Sequence, residues 1–404
     1  MAANPRYAPE LRLLIGGQPI PAAMRGSVTR LSAQSGLGVS DRVEVALVND
    51  GLRWLDHPLL ALDSELALSL GYAPDPLTQL FVGEIVAHEA TFPSSGLPML
   101  TVVAQDRLER LQEGTKARWF AIPTPTVGDF PLPDPAVASI VALENGLIPI
   151  IEPVGAAISA LLGVAAGGAD PQQMQALVRQ QGSENRGESD FDFASRIARE
   201  NGWELTIDHS GPLGGLQLRF LSPLDHLAPD VTLKYGASLL EFRPRISKVG
   251  QIVSVTAMVW ISQIKTKFAV TVGWDWDSMA LSIDVKPSFT PTESGPSKVV
   301  YGEPVTLLSA PRTIVSELIP KLNQRLTGSG SCVGDPRIVA GAVVRLEGLG
   351  LQFGGLYRVT SATHTLDSSG YRTSFEVRKE IWFGSIPLPE QGASPIKLSA
   401  PFAA

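Results

Sequence analysis

Residues 80–111 read LFVGEIVAHEATFPSSGLPMLTVVAQDRLERL. The opening LFVGEIVAHEA (80–90) and the later LPMLTVVA (97–104) are apolar-rich runs of strand length, and the turn-forming stretch between them, which contains Gly96, separates two strands. Working back, residues 65–72 (ELALSLGY) and 41–49 (DRVEVALVN) alternate apolar with polar residues, the period of a strand with one buried face. Four strands joined by turns predict an antiparallel β-domain.

The same cadence returns toward the C-terminus in residues 251–260 (QIVSVTAMVW), 342–348 (AVVRLEG), 356–365 (LYRVTSATHT) and 371–378 (YRTSFEVR). The third strands carry a histidine at the same spacing, since His88 follows Leu80 and His364 follows Leu356 by eight positions. Gly96 and Gly370 then supply the turns. An internal repeat of this kind decides architecture before any motif does. The fold class it predicts is β-rich (α+β), with two similar antiparallel β-barrel domains related by the repeat and α+β insertions between and within them.

The material between the copies is different. Asp134 and Pro135 start a helix that Val137, Ile140 and Val141 continue and Gly146 stops. Asp170 and Pro171 repeat that start, and Asp190 opens a helix with Phe193 and Ile197 on one face and Gly202 as its stop. A further helix is expected over 311–326. The chain therefore divides into a first barrel (1–115), an α+β middle domain (116–220), a second barrel (221–384) interrupted by a helical insertion at about 285–335, and an extended proline-rich tail (385–404).

Composition narrows the function. With 404 residues, 44% hydrophobic and 18% charged, the chain is globular. Its 38 glycines and 32 prolines exceed the usual share and fit many turns and short strands. A single cysteine, Cys332, excludes a disulfide framework and a cysteine-rich zinc site. A net charge of −7 without a Lys/Arg run argues against a nucleic-acid partner. The N-terminus, MAANPRYAPELRLLIGG, lacks the charged-then-apolar order of a secretory leader, so the cytoplasm is the expected compartment. Residues 147–169 approach the roughly 20 apolar residues of a membrane span, but Pro149, Glu152 and Pro153 interrupt them. A buried or partner-covered helix and loop is expected there, and no membrane partner.

No catalytic constellation stands out. His88-Glu89 begins like a metalloprotease helix, but Phe92 stands where the second histidine belongs and the pattern is that of a strand. The five histidines are scattered without ligand spacing, so no metal is expected. Cys332 reads as a small, partly buried loop residue, since no helix N-terminus or base partner accompanies it. No phosphate-binding or dinucleotide glycine pattern appears, and no cofactor is expected. Asp275 and Asp277, set among Trp274, Trp276 and Met279, make a glycan hydrolase the enzymatic alternative. Two carboxylates two residues apart share one strand face, however, and suit a turn edge or subunit interface better. Asp190 and Asp192 read as helix-start charges.

Residues 80–111 resemble the first-domain signature of the phage late control D family, hub proteins of contractile tails and injection systems related to the N-terminal part of VgrG-type spikes. The matching positions are Gly83, Glu84 and Ile85, then Asp106 and Leu111. Residues 187–205 (GESDFDFASRIARENGWEL), 234–260 (KYGASLLEFRPRISKVGQIVSVTAMVW) and the closing 332–350 with 356–378 resemble further stretches of that family, in the same order.

The resemblance implies a non-enzymatic baseplate hub of tube-like barrels, a homotrimer that adapts a six-fold tail tube to a three-fold spike. Its implied partners are a second and third copy of itself, the tail tube protein, a separate spike protein and other baseplate subunits. After synthesis in the cytoplasm it would join an assembled tail or injection particle. Within a long strand pair expected over 240–270, Arg243, Arg245, Lys248, Lys265 and Lys267, with Trp274 and Trp276 just beyond it, are candidates for an interface or channel lining.

Overall fold

The computed structural model describes residues 8–124, 128–152, 184–223, 226–247, 254–261, 266–275, 280–286, 297–305, 320–380, 383 and 397–399. Thirteen strands make one continuous sheet. Its path runs Leu239–Ile246, Leu326–Val333, Gly370–Arg378, Gly355–Asp367, Val28–Gly36, Arg42–Val48, Met99–Gln105, Thr78–Thr91, Glu65–Ala73, Ala8–Ile15 and Gln18–Pro19. Val343–Glu347 branches from Gly355–Asp367, and Val231–Lys234 lies parallel beside it.

The two halves of this sheet follow one order. On one side the strands are 28–36, 42–48, 99–105, 78–91, 65–73 and 8–15; on the other, 239–246, 326–333, 370–378, 355–367, 343–347 and 231–234. Irregularities coincide as well. The first strand of each series skips one residue near its start, at Thr29 and at Leu240. The fourth bulges against the third at Val86 and at Thr360. The sixth strands differ, one being antiparallel to its neighbour and the other parallel.

Three expectations need correction. Among the described residues no ladder closes into a barrel. Gly355–Asp367 outruns its partner Val343–Glu347, and the leftover edge at Ser361–Leu366 pairs with Val28–Gly36, fusing the halves into an open sheet. Second, Ser254–Ile261 is not the first strand of the second series and does not pair with Leu239–Ile246. It lies in a separate sheet with Thr266–Asp275, Ala280–Lys286, Ser297–Val305 and Lys397–Ser399. The place beside Gly370–Arg378 is held by Leu326–Val333, LTGSGSCV, in a stretch read as the end of a helix followed by a loop. Residues 311–319 of that expected helix lie outside the described residues. Third, aligning the bulges sets His88 (opposite Val102) against Ala362 (opposite Phe375), which leaves Ala90 matched to His364. A shift of two keeps every side chain on its own face, so an alternating pattern cannot resolve it.

The glycine-rich strand has a packing reason. A Cβ at Gly330 would sit 2.8 Å from the Phe375 ring, and one at Gly328 would sit 2.7 Å from the Phe242 ring. The rings supply the apolar cover that the strand's own side chains lack. Cys332 is fully buried within it, and burial raises its thiol to about 12.

The middle segment packs helices Asp134–Glu144 and Asp190–Asn201 with a three-stranded sheet of Ile148–Ile151, Gln217–Leu221 and Glu204–Asp208. Both helix starts match the sequence reading. Ser189 caps the second helix by accepting the Asp192 N–H at 3.0 Å, and Gly202 ends it at φ 70°. Asp190 does more than complement a helix dipole: it is buried, pairs with Lys116 at 2.5 Å and with Arg118, and accepts from Asn145. The apolar stretch begins as a strand, Ile148–Ile151, parallel to Gln217–Leu221, and the rest of the expected helix and loop falls outside the described residues. Residues 153–183 lie outside the described residues. No described helix is long and apolar enough to cross a membrane.

Candidate functional site

The residues singled out for an interface fall on two different sheets. Arg243 and Arg245 are exposed on Leu239–Ile246, the edge strand of the large sheet, where Arg243 pairs with Glu241 at 2.6 Å. Lys267 and Trp274 lie on Thr266–Asp275 in the separate sheet. Lys248, Lys265 and Trp276 lie outside the described residues, as does Asp277. Asp275 ends its strand opposite Ala280.

The edge that carries the two arginines also exposes Leu240 and Ile246. A second exposed edge lies in the other half. Thr78–Thr91 pairs with Glu65–Ala73 only as far as Glu84, and beyond the Ile85 bonds to residues 63 and 64 its outer side has no strand partner among the described residues. Val86, His88, Glu89, Ala90, Thr91 and Phe92 are all exposed there.

The family-like signature builds a junction between the large sheet and the middle segment. Gly83 is required by close approach, because a Cβ there would stand 2.1 Å from the Gln105 carbonyl oxygen. Glu84 pairs with Arg107 at 3.1 Å and with Arg110, and Arg107 also reaches Glu65 at 2.8 Å. Burial opposes the Glu84 charge, but these two arginines outweigh it and hold the carboxyl below its ordinary value. Asp106 accepts from Ser40 Oγ at 2.7 Å and from the N–H groups of Leu108 and Asp41 at 3.0 Å each. Leu111 is buried in the core of the middle segment.

His209, from the middle segment, completes this junction. Its Nδ1 accepts the Val82 N–H at 3.1 Å, so in this arrangement Nε2 carries the proton and donates to Asp41 at 3.1 Å. Gln79 donates to the His209 carbonyl at 2.6 Å, and the Gly38 N–H reaches the Leu205 carbonyl at 2.8 Å. Burial and the neighbouring Asp41 charge raise Asp106 to about 7. For His209, burial works against the imidazolium, but the Asp41 hydrogen bond and the charges of Asp41 and Asp106 raise it above its ordinary value. The Val82 N–H opposes full protonation, since it needs the Nδ1 lone pair. Ligand atoms of Asp41, Asp106 and His209 lie within 4.8 Å of one another, a spacing a cation could bridge. Their oxygens and nitrogens are already engaged by Gly36, Ser40, Asp41, Leu108 and Val82, so the cluster reads as a structural clasp.

No protein-family profile matches the chain, and no curated protein sequence matches it. Solved structures do. The prophage MuSo2 43 kDa tail protein from Shewanella oneidensis superposes with a TM-score of 0.59 at 13% identity, over 92% of this chain and 98% of that one. A tail protein from Neisseria meningitidis MC58 gives 0.59 at 13% identity, over 94% and 99%. The chain shares its fold with both of these proteins. A third match is the E. coli c3393 protein, described as a component of the type VI secretion system with structural similarity to the T4 tail proteins gp27 and gp5. It gives 0.56 at 14% identity, over 95% of this chain and 79% of that one.

A second clasp holds the other half of the sheet to the middle segment. Arg358 is wholly buried and donates to Glu380 at 3.0 and 3.1 Å, and to the carbonyls of Gly341, Pro223 and His226 at 2.9, 2.7 and 2.8 Å. Arg378 pairs with both Glu380 and Glu204. By the bulge alignment Arg358 stands where Glu84 stands in the first series, so both clasps use the same strand position with opposite charge. Sequence reading missed His209 and Arg358. A charged residue inside the apolar run at 355–359 was the one visible sign of the second.

Proposed function

We propose that this chain is a structural baseplate hub of a contractile tail or injection system, a homotrimer that adapts a six-fold tail tube to a three-fold spike. The observation that carries the reading is the pair of strand series with the same order and the same bulges. Read as a duplication, it makes each chain two tube-like units, so three chains present six around one axis. The fold shared with the S. oneidensis and N. meningitidis tail proteins supports this, as does the late control D resemblance of residues 80–111. In this reading residues 1–115 and 221–384 are the tube-like domains, 116–220 join them, and the tail 385–404, apart from Lys397–Ser399, which pairs with Ala280–Ser282 of its own chain, straps onto the spike or a neighbouring subunit. Arg243 and Arg245 then belong to the assembly surfaces.

Light scattering on the purified chain tests the proposal. A stable trimer that captures its tube protein and spike is expected, whereas a persistent monomer refutes the hub. Removal of residues 385–404 with undiminished spike retention refutes the strap alone. Asp275→Asn separates the enzymatic alternative, since a hub keeps its assembly function and a glycan hydrolase loses turnover of peptidoglycan.

A further inference from the structure

The sheet contains one seam between its halves and two edges that could form another like it. Within the chain, residues 361–366 of the fourth strand in the second series pair antiparallel with residues 31–36 of the first strand in the first series. Leu37 N–H donates to Thr360 O at 3.0 Å, which fixes the alternation: 362 with 35, 364 with 33 and 366 with 31 are the hydrogen-bonded pairs. That seam buries Ala362, His364, Leu31 and Ala33. The counterparts in the other series are the fourth strand at 86–92 and the first strand at Leu239–Ile246. Apart from a bridge between Leu239 and Tyr235, neither is paired on its outer side among the described residues, and they expose Val86 (40%), Phe92 (60%), Leu240 (49%) and Ile246 (44%). Of the four residues the seam buries, the counterparts of Ala362 and His364 are His88 and Ala90, both exposed, and those of Leu31 and Ala33 are Phe242 and Pro244, both only half-buried.

We propose that residues 87–92 of one copy pair antiparallel with residues 242–247 of the next copy, in the register of the internal seam. This rests on the hub reading and adds to it the residues that join one protomer to another. Carrying the internal register across through the bulge alignment sets His88 against Ile246, Ala90 against Pro244 and Phe92 against Phe242 as hydrogen-bonded pairs. The intervening close pairs are Ala87 with Ser247, Glu89 with Arg245, and Thr91 with Arg243. Charge follows the register, because the acidic Glu89 meets the basic Arg245 directly and Arg243 lies diagonally from it. Pro244 has no N–H to offer outward. It removes one bond from the new ladder and blunts the edge against indiscriminate strand addition, as edge prolines do. A surface that repeats this seam head to tail either closes into a ring or grows, and the hub reading sets closure at three.

Paired cysteines test the seam. In Thr91→Cys/Arg243→Cys the two Cα atoms face each other as a non-hydrogen-bonded pair at about 4.5 Å, within disulfide range. The buried Cys332 does not compete. Mild oxidation is expected to convert most of the protein into a covalent ring of three copies on a non-reducing gel, while Thr91→Cys/Arg245→Cys, displaced by two residues, stays largely unlinked. Charge reversal supplies an independent readout. Glu89→Arg and Arg245→Glu should each weaken assembly by about tenfold or more, and the double exchange should recover most of it. A trimer that forms normally but neither cross-links nor responds to the reversals overturns the seam and leaves the hub intact. A chain that stays monomeric at tens of micromolar, a regime where obligate homo-oligomers assemble, overturns both.

Discussion

Replacing Arg358 by methionine removes a guanidinium that has no contact with water while keeping most of the side-chain volume. Glu380, equally buried, loses two charge-assisted hydrogen bonds, and the carbonyls of Gly341, Pro223 and His226 lose their donor. Breaking a buried ion pair from one side costs about 3–5 kcal/mol. Arg378 stays beside Glu380 at 2.8 Å, which sets the expectation near the lower end, about 3 kcal/mol. At 2–4 °C per kcal/mol for a unit of 150–250 residues, Tm should fall by about 6–12 °C in calorimetry at fixed protein concentration. Glu380→Gln alone should also destabilise, because the buried Arg358 then has no carboxylate and Arg378 keeps only Glu204. Adding Leu at 358 to Gln at 380 should recover part of the loss, since an apolar replacement leaves no unpaired charge. A Tm for Arg358→Met within 2 °C of the parent, on that same scale, would refute the clasp as a stabilising element.

Other expectations follow from the same junctions. Asp106 holds its proton to about 7 when folded against 3.8 for an ordinary aspartate, and His209 is raised as well. The folded state therefore binds more protons than the unfolded one across that window, so stability falls as pH rises through it. Urea midpoints for the parent should decline over that range and those of Asp106→Asn should be flatter. Burial lowers Lys379 to about 8 from 10.5, so here the unfolded chain holds the extra proton and stability rises with pH between those values. Lys379→Met should abolish that rise in the same titration. Gly83→Ala drives a Cβ into the Gln105 carbonyl oxygen and should cost about 1–3 kcal/mol or block folding, whereas Gly26→Ala, with open space around it, should leave Tm unchanged or higher.

Much of the sheet was legible in residues 41–105 because those strands keep one face buried: Val43, Val45 and Leu47 alternate inward, as do Leu66, Leu68 and Leu70. The second helix was legible through local chemistry, in its acidic start at Asp190 and the left-handed Gly202, although its cap, Ser189, was not read from the sequence. Leu326–Val333 was not, since its apolar cover comes from Phe242 and Phe375 on neighbouring strands and leaves no period in its own sequence. The edge strand Leu239–Ile246 was found, but its partner was misassigned, because long-range pairing is set by register and bulges that a single strand does not encode. The clasps lay further out of reach. His209 is separated from Asp41 by 168 positions, and Arg358 from the Pro223 carbonyl by 135.

The first clasp also sets a rule for exchanging parts between chains of this fold. His209 and Gly215 belong by sequence to the middle segment, yet Val82, Gln79 and Arg107 of the sheet hold them in place. A Cβ at Gly215 would lie 2.7 Å from the Val82 carbonyl oxygen. Any chimera that swaps residues 116–220 as a block inherits a foreign surface at this contact. The transferable cassette must carry 79–85 and 105–111 along with 208–215, so the unit of recombination is larger than the unit of folding.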